Sequence, residues 1–207
     1  MLEKKLNESF NTCSKAVRDH CRRTGDLVRE LLAVLEWQEF EEIWCWRGKL
    51  PFYYHDIGKA MCSDENMKEH PEKGGTFFSE LYRQASEDER DEQSIIFFSI
   101  ASDACLYHHE WLNGFGYPAG RKSQEIVLVG RLCAVADTWD NLTHETPGSP
   151  ALTEAAAKEI MEGKRNIQFD DYLVKALFQI NGFMTEKEED DIIVSPITRK
   201  RHFWSLK

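Results

Sequence analysis

Apolar residues recur along this chain at steps of three and four, not two. Leu2, Leu6, Phe10, Cys13 and Val17 mark one helical face, and Leu27, Val28, Leu31, Leu32 and Leu35 repeat the pattern after Gly25. Phe40, Ile43, Trp44 and Trp46 make a third apolar patch, ended by Gly48 and Pro51. Pro71 suits a first helical turn and opens a segment carrying Phe77, Phe78 and Leu81. The acidic run 87–92 suits the start of the next helix, because negative charge is favourable there. That helix runs through Ile95, Phe98, Ala101 and Cys105 to a pair of histidines. Residues 126–142, rich in Ala and Val, form another candidate. The segment 146–150, TPGSP, breaks it, and helices follow from about Thr153 and Asp170, the second closed by Asn181 and Gly182. Alternating runs are nearly absent. The pattern predicts an all-α, single-domain helical bundle of about seven to nine helices over residues 1–183, with 184–207 a charged helix and tail.

Composition narrows the class. Apolar residues make up 42% and charged residues 30%, the balance of a globular protein. No apolar run reaches the roughly 18 residues of a membrane span, and the N-terminus carries no apolar signal region. The expected location is therefore the cytoplasm, with no membrane partner. A net charge of −10 argues against a nucleic-acid polymer as ligand, since phosphate backbones need a basic footprint. It leaves open an anionic small molecule, because bound divalent cations reverse the local field. The six cysteines show no CxxC spacing and read as free, mostly buried thiols.

The chemistry sits with the histidines. HHEWLNGFGYP, at 108–118, places two adjacent imidazoles and a carboxylate directly before a loop too rich in Gly and Pro to be helix or strand. His55 is followed by Asp56 and, three residues on, Lys59; His70 precedes Pro71; His20 lies within an amphipathic helix. Asp137 falls in the apolar stretch AVADTWD, where an ionised carboxylate is costly unless paired or metal-bound. One such histidine is ordinarily a core residue with its polar atoms satisfied. Five, with two carboxylates at predicted helix ends, point to a metal centre.

These segments resemble, in order, the motifs of one family. YYHDIGKA is similar to the HDxGK motif of the HD superfamily of metal-dependent phosphohydrolases, and EHPEKGG to its HPxxG element. HHEWLNGFGYPAG resembles the HHExxDGxGYP signature of the HD-GYP subfamily; RLCAVADTWDNLT and NIQFDDYLVKALFQI resemble the segments that follow it. The resemblance implies a helical HD-GYP-type bundle that hydrolyses cyclic di-GMP through a metal-bridging hydroxide. It assigns His20, His55, Asp56 and Asp137 to one metal, and Asp56 with His70, His108 and His109 to a second. Asp56 and Lys59 become the catalytic pair, with Lys59 near the scissile phosphate. Imidazoles and carboxylates without thiolate suit iron or manganese, with Ni, Co or Zn able to enter during preparation. Tyr117, Lys59, Trp111, Arg121 and Lys122 are the candidate substrate contacts, Trp111 for stacking on a purine.

Departures from the family pattern set further expectations. Ala16 stands where some members carry a glutamate for a third metal, so two metals are expected. The stretch between Asp56 and His70 is short, which implies a smaller cover over the site. Asn113 replaces an aspartate in the signature, and Thr146 and Gly148 stand where an Arg-Pro-Tyr element usually grips phosphate. Arg121 or Lys122 would then substitute. The same departure supports two rivals: hydrolysis of another nucleotide or phosphate ester, or a degenerate module acting by binding, through a homodimer or a signalling partner. Phe52, Tyr53 and Tyr54 read as packing behind the HD turn; His144 and His202 read as surface residues.

Overall fold

The computed structural model describes residues 1–88, 91–146 and 148–183. The apolar face predicted from Leu2 to Val17 is divided between two helices, α1 (Leu2–Asn11) and α2 (Lys15–Val34). The break has a local cause: the Ser14 side chain accepts the Val17 amide hydrogen and caps α2. Gly25, in contrast, does not interrupt α2. A Cβ there would stand 2.8 Å from the Tyr53 ring, so this glycine lets an aromatic lie against the helix. The remaining helices are α3 (Gln38–Trp44), α4 (His70–Asp88), α5 (Glu92–Tyr107), α6 (Leu128–Thr143), α7 (Glu154–Glu162) and α8 (Asp171–Ile180). Asp91 caps α5 by accepting from the Ser94 amide, and Thr153 does the same for α7 through Ala156. The acidic stretch thus supplies the start of α5, as expected. No strand or sheet occurs among the described residues, and the all-α expectation holds.

Two apolar clusters fill the interior. In one, Val28, Leu31 and Leu32 of α2 meet Leu132, Val135 and Trp139 of α6, with Met161 of α7 and Leu173 and Leu177 of α8. In the other, Phe78 and Leu81 of α4 meet Phe97, Phe98 and Ala101 of α5, with Leu6 of α1 and Ile57. Each fully buried Phe or Leu contributes on the order of 1.5–3 kcal/mol over its exposed state. Phe52 and Tyr54 are buried, and Tyr53 partly so, as their packing role requires.

Between α3 and α4 the chain crosses from one cluster to the other in three short 3-10 turns, Pro51–Tyr54, Ile57–Met61 and Asp64–Glu69. That crossing carries His55 and Asp56, which places them between the helix pairs α2/α6 and α4/α5. No helix among the described residues is long and apolar enough to cross a membrane. The predicted C-terminal helix and tail, with His202, lie outside the described residues.

Candidate metal centre

Two groups of ligand-bearing side chains form where the helix pairs meet, and they share one residue. His20, His55, Asp56 and Asp137 make the first, all buried; Asp56, His70, His108 and His109 make the second. Within each group the ligand atoms all lie within 4.8 Å of one another. The structure therefore brings together every residue the sequence pointed to as a metal ligand, in the predicted partition.

The atoms show how Asp56 is shared. Its Oδ2 faces the first group, 3.6 Å from His20 Nε2 and 3.6 Å from His55 Nε2. Oδ1 faces the second, 3.1 Å from His70 Nε2 and 3.6 Å from His108 Nε2. Asp137 Oδ1 completes the first group at 2.9 Å from His20 Nε2 and 3.4 Å from His55 Nε2. Lys59, one turn on from Asp56, places its ammonium in contact with Oδ2.

The outward ring nitrogens decide what this cluster can bind. His55 Nδ1 donates to the Phe52 carbonyl at 3.0 Å, and His70 Nδ1 to that of Met67 at 2.7 Å. His108 Nδ1 donates to the carbonyls of Ala104 and Cys105. A carbonyl only accepts, so each Nδ1 carries the hydrogen and each neutral ring turns a bare lone pair inward at Nε2. His70 and His108 thus aim two lone pairs at each other across 3.3 Å, beside a carboxylate oxygen. Apart from Lys59, nothing among the described residues donates a well-aligned hydrogen bond to either oxygen of the fully buried Asp56. Such an arrangement is repulsive by itself and complementary to a cation. The donor set fits a divalent metal in each group, and it contains no thiolate.

Electrostatics agree. Burial pushes Asp56 and Asp137 toward the neutral form, but it is outweighed, by the charge of Lys59 for Asp56 and by the hydrogen bond from His20 for Asp137. Both carboxyls are held well below their ordinary range. Burial pushes His108 down, and it takes His109 to about 2, so burial favours the neutral form of both rings, the form that ligates a metal. For His20 burial is overcome by hydrogen bonds to Asp137 and Asp140, and its pKa rises to about 10. A metal on His20 Nε2 would displace that proton. The thiols of Cys21, Cys105 and Cys133 are raised by burial and serve as neutral packing groups.

Several supporting residues escaped the sequence reading. Asp140 accepts from His20 Nδ1 at 2.6 Å, and Arg23 grips the same carboxylate with two bonds of 2.6 and 2.8 Å. Asn141 donates to Asp137 Oδ1 at 2.9 Å. Both lie within a turn of Asp137 on α6, a spacing that could have flagged them as second-layer partners. His144 is exposed as expected, yet its Nδ1 also sits 3.1 Å from Asp140. Glu110, buried at 2% exposure, accepts from the amides of Ala119 and Arg121 and so ties the signature loop closed.

The candidate substrate contacts separate. Tyr117 lies at the second group, its ring stacked on His109 with centroids 4.6 Å apart. Arg121 places its guanidinium over the Tyr107 ring, 4.9 Å from the centroid. The Lys122 stem covers Gly114, where a Cβ would come within 2.5 Å of it. Both basic residues are exposed, and neither belongs to either ligand group. Trp111 is half-buried, and the chain beside it pairs with the segment before α8, Leu112 donating to the Gln168 carbonyl. Thr146 and Ser149 bond to each other in a tight turn.

Comparison with known proteins bears on this geometry. A cyclic di-GMP phosphodiesterase of Vibrio cholerae is 32% identical over 140 residues, 61% of this chain and 27% of that protein. The 3'3'-cGAMP-specific phosphodiesterase 3 of the same organism is 30% identical over 156 residues, 73% of this chain and 32% of its own length. A cyclic di-GMP phosphodiesterase of Thermotoga maritima is 30% identical over 156 residues, 66% and 39% of the two chains. The chain spans well under half the length of these relatives. The HD domain model matches residues 6–173, a span that holds both ligand groups and most of the bundle, and on that match the chain belongs to the HD domain family.

Proposed function

We propose that this HD domain is a metal-dependent phosphodiesterase that hydrolyses a cyclic dinucleotide, cyclic di-GMP first, and that it works in the cytoplasm with two iron or manganese ions. The observation that carries the reading is the single buried carboxylate, Asp56, with one oxygen turned to each ligand group and Lys59 against it. Two divalent ions held there supply a water of lowered pKa and electrophilic assistance to a phosphoryl oxygen. The chain's own part is positional. His55, His70 and His108 are locked by carbonyls and His20 by Asp140, so the ligand geometry is set before any ion enters. Opposed by burial but fixed by the charge of Asp56, Lys59 holds its proton more tightly than a free lysine. At 27% side-chain exposure it can still reach a phosphate oxygen. The names of the relatives support the substrate class.

A second reading, hydrolysis of another phosphate ester, is favoured by one observation. The turn that contains Thr146 and Gly148 offers no guanidinium where the Arg-Pro-Tyr element of the family usually grips phosphate. The test is turnover of protein prepared without oxygen and loaded with Fe(II) or Mn(II), offered cyclic di-GMP, 3'3'-cGAMP and bis(p-nitrophenyl) phosphate. Hydrolysis of cyclic di-GMP to a linear product supports the primary reading. Turnover of the generic diester alone supports the second. Loaded protein inert toward all three would leave a binding module and overturn the enzymatic reading.

A further inference from the structure

The five imidazoles are not held alike. Four have Nδ1 pinned by hydrogen bonds: His20 to Asp140, His55 to Phe52, His70 to Met67, and His108 to Ala104 and Cys105. His109 has no such anchor: among the described residues none accepts from its Nδ1, and its Nε2 faces His70 Nε2 at 3.2 Å. Its ring is clasped by others instead. Tyr117 lies on it at 4.6 Å with planes only 20° apart, and His108 adjoins it at 4.1 Å.

The loop that delivers Tyr117 is tightly specified. Tyr117 donates its amide to the His109 carbonyl at 3.0 Å. A Cβ at Gly116 would stand 2.4 Å from both the His109 carbonyl oxygen and the Trp111 nitrogen, so only glycine lets the chain return this close. Glu110 then binds the loop's exit through the amides of Ala119 and Arg121, at 2.7 and 2.9 Å. The tyrosine of the signature thus lies on His109, and the glutamate holds the loop that carries it.

We infer that Tyr117 is a positioning residue: its ring, seated by the Glu110-bound loop, holds His109 in ligating orientation and thereby sets affinity at the second metal position alone. This rests on the two-metal reading of the cluster. Removing a partner that orients a ligand weakens metal binding by about 10- to 100-fold. The effect should depend on the aromatic face and not on the hydroxyl.

The experiment titrates Mn(II) into the full chain against a fluorescent chelator, comparing wild type, His109→Ala, Tyr117→Leu and Tyr117→Phe. Wild type should take up two ions, and His109→Ala identifies the weakened step as the second. Tyr117→Leu should weaken that same step roughly 10- to 100-fold and leave the first within about twofold, which also reports an intact fold. Tyr117→Phe should match wild type. The inference is overturned if Tyr117→Leu binds both ions as wild type does, if it loses both equally, or if Tyr117→Phe is weakened as much as Tyr117→Leu. Uptake of fewer than two ions by wild type would instead remove the two-metal reading, and the inference with it.

Discussion

Lys59 touches a carboxylate that is fully buried, and two roles meet in its ammonium. It neutralises Asp56 in the metal-free chain, and in the proposed function it stabilises the substrate phosphate. Once ions neutralise Asp56, only the second role remains. Lys59→Ala should therefore keep the metal content of wild type while lowering phosphodiester turnover by about 2–4 kcal/mol of barrier, the scale of one preorganised donor. Steady-state rates on protein of measured metal content check this; an unchanged rate would make Lys59 a purely structural partner of Asp56. At this scale His55, Asp56, His70, His108 and His109 were legible because each stands in a short motif, and Asp137 because it is a carboxylate in an apolar stretch, whereas His20 was placed by the family resemblance. Asp140 and Asn141 were not, because an acidic or amide residue on a helix announces nothing until the fold supplies its partner.

Helices and turns explain why the ligands arrive together. The turn Ile57–Met61 crosses the N-terminus of α4 so closely that a Cβ on Gly58 would lie 2.0 Å from the His70 carbonyl oxygen and 2.7 Å from the Gly74 nitrogen. Both obstacles are backbone, so neither can step aside as a side chain could. Gly58→Ala should cost roughly 1–3 kcal/mol of stability, the usual range for overpacking, and should shift His70 away from Asp56. Thermal unfolding of the metal-free protein gives the first, and weaker uptake of the second ion gives the other. A variant as stable as wild type would show that the turn is looser than described. Periodicity located most of the helices, since their apolar faces follow the 3.6-residue repeat. It missed the break before Ser14, where the apolar spacing continues across a cap, and it could not foresee the 3-10 crossing from Pro51 to Glu69. The first two turns bury nearly consecutive residues and the third buries none, so none leaves a helical repeat to read.

The molecule as a whole reads as two helix pairs, each with its own apolar cluster and each presenting one ligand group. α2 and α6 bring His20 and Asp137; α4 and α5 bring His70, His108 and His109. The crossing segment between them supplies the residue both groups need, Asp56. The central claim is that this carboxylate bridges two metals, and the most direct measurement is metal per chain, by elemental analysis of anaerobically prepared protein, for wild type, Asp56→Ala and His70→Ala. The arrangement predicts two ions in wild type, loss of both in Asp56→Ala, and retention of one in His70→Ala. Equal loss in the two variants, or no metal in wild type under any reducing preparation, would contradict it.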